Sequence, residues 1–388
     1  MCSTSFEFRE TPTTMVEVIT PQSRIRDLTA ATRHIPIEVD GSGIYELVVA
    51  LWSVYKSSDD KSALEVGDEW LEQLKTTTAD DLREEIEALG GPGCGLWLGL
   101  LGLVVSAPHP HDPDRVLAWL AEINPQRLRR WLLAYVGDHA DPALIEEATD
   151  GDLDALRKIV SSHASEDIAV QMVAVFEIPA DEVRDRMVTA LARFRSEVFS
   201  EYEADFSDSI RRAAAAQRAV TSRDHAKSVI EQVTNGLDYE IPLGVTRVVL
   251  IPSVVLRPLS LIDQQRDTLL VIYGMADEFI DSDPEAPPSW LIKTYKALSD
   301  ERRMRILRRL SEGETTLDEL TELLGLSKST VHHHISVLRA AGLVRVRMGQ
   351  RADHKENHTY TLRGEALVNA GAFLDSYVRT DREIAANQ

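Results

Sequence analysis

The sequence predicts a mainly α-helical protein, in which a multi-helix N-terminal domain with a small β element precedes a smaller C-terminal domain. Three observations lead to this fold class. Apolar residues recur at helical spacing through most of the chain. Asp-Pro or Asn-Pro pairs at 112–113, 124–125 and 141–142 have the form of helix starts, with a capping side chain before a proline. Upstream of residue 283, only three short β-branched runs interrupt the helical pattern.

Composition narrows the class of protein. The 388 residues are 44% hydrophobic and 27% charged, as in a globular chain of two or three domains. Two cysteines, Cys2 and Cys94, are too few for a disulfide framework, and the first ten residues lack the apolar segment of a signal peptide. We therefore expect a cytoplasmic protein. The longest apolar run, Cys94–Ala107, is too short to cross a bilayer, so it predicts a buried helix and no membrane association.

The N-terminal part divides into a flexible arm (1–30) and a helical sensor or dimerisation domain with a small sheet (31–283). Ser62 and Thr78 are predicted to cap the second and third helices. A long helical pattern over 180–220 indicates either a buried spine, which is favoured, or a dimer seam. Helices are predicted at about 44–56, 63–75, 79–89, 113–122, 125–136, 142–149, 152–162, 166–176, 180–220 and 222–234, and strands at 35–39, 245–251 and 268–273.

A polar, proline-rich segment, Asp281–Pro288, predicts the boundary to a C-terminal domain over 289–380. One helix or two close helices span 290–310, and Thr315 and Thr316 cap a helix over 317–324. A short turn containing Gly325 leads to a second helix that Ser327 caps and Gly342 closes. The runs 343–348 and 358–362 then form a hairpin before a last helix from 365 to about 378. This order predicts a winged helix-turn-helix.

The second helix of this pair has two unlike faces. Val331, Ile335 and Leu338 form an apolar stripe. The opposite face is short, polar and rich in hydrogen-bond donors, which suits a base edge or a phosphate but also an ordinary surface helix. The net charge of −21 is unevenly distributed, because residues 290–388 hold 16 basic and 13 acidic side chains. A mildly basic module thus follows an acidic body, and this favours DNA contact through the module alone.

The C-terminal residues resemble a known family. The segments 297–307, 326–338 and 341–344 are similar to the first helix, the recognition helix and the wing entry of ArsR-type winged-helix repressors. The resemblance covers about 85 of 388 residues. It implies a sequence-specific, homodimeric DNA-binding regulator, usually a repressor in prokaryotes, that binds a double-stranded operator. The roughly 290 residues upstream are absent from small members, so the resemblance names no effector, and we expect an unknown small molecule or protein.

The resemblance and the local pattern together give a set of candidate DNA contacts. The resemblance places Lys328, Ser329, Thr330, His332 and His333 towards the groove, Ser327 near a phosphate, and His334 in a structural role. Arginines of the wing are expected at the DNA backbone or minor groove, and Arg339 at a phosphate. The full predicted set is Ser327, Lys328, Ser329, Thr330, His332, His333, Ser336, Arg339, Arg345, Arg347 and Arg351.

Neither a metal site nor a cofactor nor an enzymatic activity is predicted. The cysteine motif of metal-sensing ArsR-type members is missing from 314–320, and residues 365–388 hold no histidine. His332–His334 point about 100° apart in turn and cannot chelate one ion together. His109-Pro110-His111-Asp112 could hold a metal, although a polar loop before a capping aspartate is favoured. Phosphate loops and hydrolase motifs are absent. An alternative function is a protein-interaction scaffold whose winged helix is a secondary DNA anchor.

Overall fold

The computed structural model describes residues 34–56, 64–137, 140–163, 166–221, 225–280, 287–349 and 357–386. Four predictions concern segments outside these ranges: the flexible arm, the Ser62 cap, most of the boundary segment (281–286) and Arg351. Below, the upstream body denotes described residues 34–280, and the C-terminal module denotes described residues from 287 onward.

Helices dominate the upstream body, which confirms the mainly α fold class. They are α1 (Gly43–Tyr55), α2 (Asp68–Thr77), α3 (Asp80–Gly90), α4 (Gly99–Val105), α5 (Pro113–Glu122), α6 (Pro125–Gly137), α7 (Pro142–Asp150), α8 (Leu153–His163), α9 (Glu166–Glu177), α10 (Ala180–Arg193), α11 (Ser200–Thr221) and α12 (Ala226–Val233). Three predicted caps are confirmed, because Asp112, Asn124 and Asp141 accept backbone N–H groups of the helices that follow them. The Thr78 cap was wrong: its hydroxyl donates back to the Leu74 carbonyl and ends α2.

The apolar run 94–107 is buried, as predicted, but it is not one helix. Its first part belongs to a 3-10 segment, Pro92–Leu98, in which Gly93 and Cys94 have left-handed φ angles of 66° and 54°. Regular α4 begins only at Gly99. The kink turns the chain against α3, where the Trp97 indole N–H donates to the Ile86 carbonyl at 3.0 Å.

The long helical pattern forms a spine. α10 and α11 are joined by a π-helical segment, Phe194–Phe199, so helical structure continues from 180 to 221. Val183, Met187, Leu191 and Phe194 are all buried in the main core. This burial confirms the favoured prediction over the dimer seam for this part of the chain.

The upstream strands are β1 (Ile37–Val39), β2 (Leu237–Asp238), β3 (Arg247–Ser253), β4 (Ser260–Gln265) and β5 (Thr268–Gly274). Four of them form a sheet in the order β1-β3-β5-β4, with β1, β3 and β5 parallel and β4 antiparallel. The three predicted strands are confirmed. Sequence reasoning missed β4, whose Asp and Gln residues mask its pattern, and β2, which has two residues.

The C-terminal module contains α13 (Ser289–Leu298), α14 (Glu301–Ser311), β6 (Thr315–Thr316), α15 (Leu317–Leu324), α16 (Lys328–Ala340), β7 (Val344–Gly349), β8 (Asn357–Leu362) and α17 (Gly364–Ala386). The segment 290–310 is thus two helices. Asp300 separates them, because its carboxylate accepts the N–H groups of Arg302 and Arg303 at 2.8 and 3.0 Å.

The module is built onto the upstream body. Its sheet has the order β2-β7-β8-β6, so one strand comes from the body. One apolar cluster also contains residues of both parts, including Ile230 and Leu250 upstream and Ile306, Val331 and Leu338 in the module. The two predicted domains therefore share part of a core.

Within the described residues, no single helix has the length and apolar character needed to cross a membrane. A bent pair, Asp80–Gly90 with Gly93–Val105, meets the criterion by length and composition only when both halves are taken together.

Candidate nucleic-acid interface

The joint between α15 and α16 is fixed by local hydrogen bonds. Thr316 and Glu319 form a capping box at the start of α15, in which each accepts the other's backbone N–H. Gly325 ends this helix with a left-handed φ of 62°, and its N–H donates to the Thr321 carbonyl at 3.0 Å. Two residues later the Ser327 hydroxyl accepts the Thr330 N–H at 3.2 Å. The caps set the direction in which α16 leaves the turn.

The predicted faces of α16 are confirmed. Val331, Ile335 and Leu338 are buried in the core of the module. The predicted DNA contacts of α16 and its cap lie outside this apolar stripe. Four of them are exposed: Ser327, Lys328, Ser329 and His333. The others are partly exposed: Thr330, His332, Ser336 and Arg339. The structure also brings three hydroxyls together at the helix start, since Ser327 Oγ lies 3.0 Å from Ser329 Oγ and 2.7 Å from Thr330 Oγ1.

Lys328 is available to an anion at little cost. Its Nζ lies 2.9 Å from Asp318 Oδ1, and both side chains are well exposed. Exposed ion pairs of this kind contribute at most about 1 kcal/mol, because water screens them. A phosphate or a guanine edge could therefore replace Asp318 as the partner of Lys328.

His334 is not part of the exposed face. Its side chain is only 7% exposed, and neither ring nitrogen has a hydrogen-bond partner. Burial lowers the pKa of this imidazole, so it is neutral near pH 7. The structural role that the resemblance implied for His334 agrees with this burial.

Arg339 lies where α16 meets the hairpin. It is half-buried, and burial lowers its pKa. The electrostatic interaction with Tyr360 opposes this effect and raises the pKa. Burial also lowers the pKa of His332 and of His358, and the positive charge of Arg339 lowers both further. A neutral His332 presents one donor and one acceptor, which suits recognition of a base edge.

The wing arginines are held by carboxylates. Arg345 Nε lies 2.5 Å from Glu231 Oε1 on α12, and Arg345 Nη2 lies 3.5 Å from Glu365 Oε1. Arg347 Nε lies 2.8 Å from Asp238 Oδ2 on β2, and its Nη1 contacts Glu314. In this arrangement both side chains are neutralised by the protein itself, so a phosphate has to compete with these carboxylates.

The upstream body reaches the wing through β2. Leu237 pairs with Val346 and Asp238 with Arg347 in a parallel ladder, and the Val346 N–H donates to the Gly236 carbonyl at 2.9 Å. Burial raises the pKa of Asp238, but hydrogen bonds from Lys227 and Arg347 outweigh it and leave the pKa lowered. Asp238 is therefore a charged carboxylate beside β7.

The turn after α12 also contacts the end of α16. Gly342 has a φ of +70°, and the Leu343 N–H donates to the Leu338 carbonyl at 3.0 Å, so Gly342 closes the helix as predicted. A Cβ on Gly342 would lie 2.6 Å from Asn235 Oδ1. Arg363 Nη1 donates to both Asn235 Oδ1 and the Gly342 carbonyl, at 3.0 and 3.2 Å. The sequence predicted only that a helix ends at about 234, and this junction was missed.

Comparison with known proteins bears on the C-terminal module. Residues 298–347, from the end of α13 to β7, match the family model described as a helix-turn-helix domain. The C-terminal module contains a helix-turn-helix domain. Such a domain binds DNA, and the protein is on this ground a DNA-binding transcription regulator.

Two solved structures are each similar to about a quarter of the chain. Reduced HlyU from Vibrio cholerae is 30% identical, with 23% of this chain and 90% of that chain covered and a TM-score of 0.19. A possible transcriptional regulatory protein (fragment 1–100) from Mycobacterium bovis is 22% identical, with 26% and 94% covered and a TM-score of 0.19. No curated protein matches the chain.

Proposed function

We propose that this protein is a non-enzymatic, ArsR-like transcriptional repressor of the prokaryotic cytoplasm, which binds a two-fold symmetric operator as a homodimer. Its upstream body responds to a ligand or a protein partner. One observation supports coupling between this response and DNA binding above all others: β2 of the upstream body is a strand of the wing sheet. A shift of α12 and β2 changes the position of the wing directly.

The proposed DNA contacts follow from exposure and charge. Lys328, Ser329 and His333, with His332 beside them, read bases in a major groove from the first turns of α16. The wing arginines and Arg339 hold the sugar-phosphate backbone. The acidic upstream body repels DNA and so leaves the C-terminal module as the approaching surface.

A direct test selects duplexes from a random library with the full-length protein at moderate salt. The expected result is a palindrome whose half-sites are centred about 10 base pairs apart, which matches two recognition helices one DNA turn apart. Recovery of no preferred sequence would contradict the proposal.

Replacing the exposed His333 with Ala is expected to change base preference at one position of each half-site. Loss of one specific base contact costs about 1–3 kcal/mol against that base and much less against others. The measurement is the affinity for a set of single-base operator variants. His34→Ala is the matched control, since His34 is also exposed but lies before β1 in the upstream body. Equal weakening on every sequence would show that His333 does not read a base.

The proposed dimer interface lies on α13 and α17. In the part of the chain that the structure describes, 13 large apolar side chains are exposed, and seven of them belong to these two helices: Trp290, Ile292, Tyr295, Val368, Phe373, Tyr377 and Val378. Trp290 and Phe373 join the two helices into one surface, with ring centroids 5.2 Å apart. A second copy of the chain is the occupant that a two-fold operator requires.

Replacing Val368, which is 71% exposed, with Asp is expected to dissociate the dimer. A carboxylate buried at an apolar interface without a partner weakens association by about 3 kcal/mol, or more than about 100-fold. Sedimentation at micromolar concentration measures the effect. Val170→Asp is the control, because Val170 is 66% exposed on α9 of the upstream body. A dimer that survives Val368→Asp but not Val170→Asp would move the interface to the upstream body.

A further inference from the structure

A group of three metal-ligating side chains lies in the upstream body, away from the DNA-binding module. Asp40 follows β1, and its backbone N–H donates to the Leu250 carbonyl of β3 at 2.9 Å. His109 and His111 come from the loop between α4 and α5. One ligand atom from each of the three lies within 4.8 Å of the others, and the two imidazole rings stack with centroids 4.0 Å apart.

The hydrogen bonds of His111 leave one nitrogen directed at Asp40. Its Nε2 lies 3.0 Å from the Ala107 carbonyl, which can only accept, so Nε2 carries a hydrogen. Its Nδ1 lies 2.5 Å from Asp40 Oδ2. In the neutral ring, the Nδ1 lone pair and the carboxylate face the same point, which either a proton or a metal ion can occupy. A backbone carbonyl on the far nitrogen is the usual outer partner of a metal-bound histidine.

The surrounding groups orient the carboxylate. The Ser42 N–H and hydroxyl both donate to Asp40 Oδ1, at 3.1 and 2.5 Å, which leaves Oδ2 facing the histidines. The Tyr45 hydroxyl lies 3.0 Å from Asp40 Oδ2 and 3.2 Å from His111 Nδ1. His111 is only 2% exposed, whereas His109 is exposed. The inner ligands are thus fixed, and solvent reaches the outer one.

We propose that Asp40, His109 and His111 bind one divalent first-row transition ion of the Zn²⁺ class, independently of the DNA-reading function. Two imidazoles and one carboxylate are a donor set that such ions prefer, and a water completes a tetrahedron from the exposed His109 side. Bonds of about 2.0–2.1 Å place tetrahedral ligand atoms roughly 3.4 Å apart. Asp40 and His111 would therefore separate slightly on binding, while the His109 nitrogen moves inward.

The test is calorimetric titration of Zn²⁺ into the full-length protein after chelator treatment, with Co²⁺ absorption as a second probe. We expect one ion per chain with micromolar or tighter affinity, and a tetrahedral cobalt spectrum. His109→Ala is the first variant, because His109 is exposed and its loss leaves the core intact. Affinity should fall at least tenfold, since even the loss of an outer partner costs about 10- to 100-fold. Asp40→Asn, checked for folding by circular dichroism, should lose binding too.

Two control variants decide where the ion binds. His225→Ala removes an exposed histidine elsewhere in the upstream body, and His332→Ala shortens the histidine run of α16. Both should bind zinc as the wild type does. Absence of zinc uptake by the wild type, full affinity in His109→Ala, or loss of binding in His332→Ala would each overturn the proposal.

Discussion

Replacing Glu231 with Gln and Asp238 with Asn together is expected to raise operator affinity by one to two orders of magnitude at low salt. Both carboxylates neutralise wing arginines in the structure, Glu231 through Arg345 and Asp238 through Arg347. Their removal leaves Arg345 with Glu365 and Arg347 with Glu314, two more exposed carboxylates that a phosphate can displace. Each additional phosphate contact increases the slope of log affinity against log salt by about 0.9, so the double variant should show a slope steeper by nearly two.

The control for this double variant must change the net charge equally. Asp154→Asn with Asp208→Asn also removes two carboxylates from exposed ion pairs, but on α8 and α11 of the upstream body. Non-specific attraction alone would raise affinity equally in both double variants. An equal gain would mean that the carboxylates at the wing do not regulate DNA binding. Glu231→Gln alone, which leaves Asp238 in place, should give about half of the change in slope.

Replacing Glu46 with Gln is expected to stabilise the protein at alkaline pH and to leave it unchanged near pH 4.5. Glu46 is 2% exposed on α1, and its Oε1 accepts the N–H groups of Val254 and Val255 at 2.8 and 2.7 Å. Burial raises the pKa of this carboxyl to about 7, against the opposing effect of hydrogen bonds from Ser253, Val255 and Val254. A glutamine keeps the acceptor oxygen and removes the charge.

The direction of this pH dependence of stability follows from proton linkage. Below about pH 4.5, Glu46 is protonated in both folded and unfolded chains, and stability is unaffected. Between pH 4.5 and 7 the unfolded chain loses this proton while the folded chain retains it, so the free energy of unfolding falls as pH rises. Above pH 7 the loss is complete and amounts to about 3 kcal/mol. Glu46→Gln should recover up to that amount at pH 8.

Denaturant unfolding of wild type and variant at several pH values measures this difference. Glu84→Gln is the matched control, because Glu84 is exposed on α3. A constant difference between Glu46→Gln and wild type from pH 5 to 8 would contradict the raised pKa of Glu46.

Local features of the chain were predictable because they depend on residues close in sequence. Asp112, Asn124 and Asp141 predicted the helices that follow them, and each accepts the expected backbone N–H. Ser327 accepts the Thr330 N–H at the start of α16, and Gly342 ends this helix with its left-handed φ, both as predicted. The exposed polar face of α16 also followed from periodicity alone.

Contacts between distant residues were not predictable in this way. Arg345 and Arg347 were expected at DNA, but their partners lie 114 and 109 positions upstream, on elements with no distinctive pattern. Likewise, the segment 109–112 left a metal site possible but favoured a polar loop, because Asp40 lies 71 positions before His111. Parallel pairing of β2 with β7 places Asp238 beside Arg347, and local sequence does not determine that register. Contact of the wing arginines with DNA stays a prediction.

The two-residue strand β2 also determines how the protein can be divided. β7 pairs with β8 on one side and with β2 on the other. A fragment that began at Ser289 would leave that second side of β7 with unpaired N–H and C=O groups, and open sheet edges recruit strands from other molecules. Its self-association would then report strand addition rather than the α13–α17 surface. Fragments made to study DNA binding should therefore begin at or before Ala226, so that β7 remains covered.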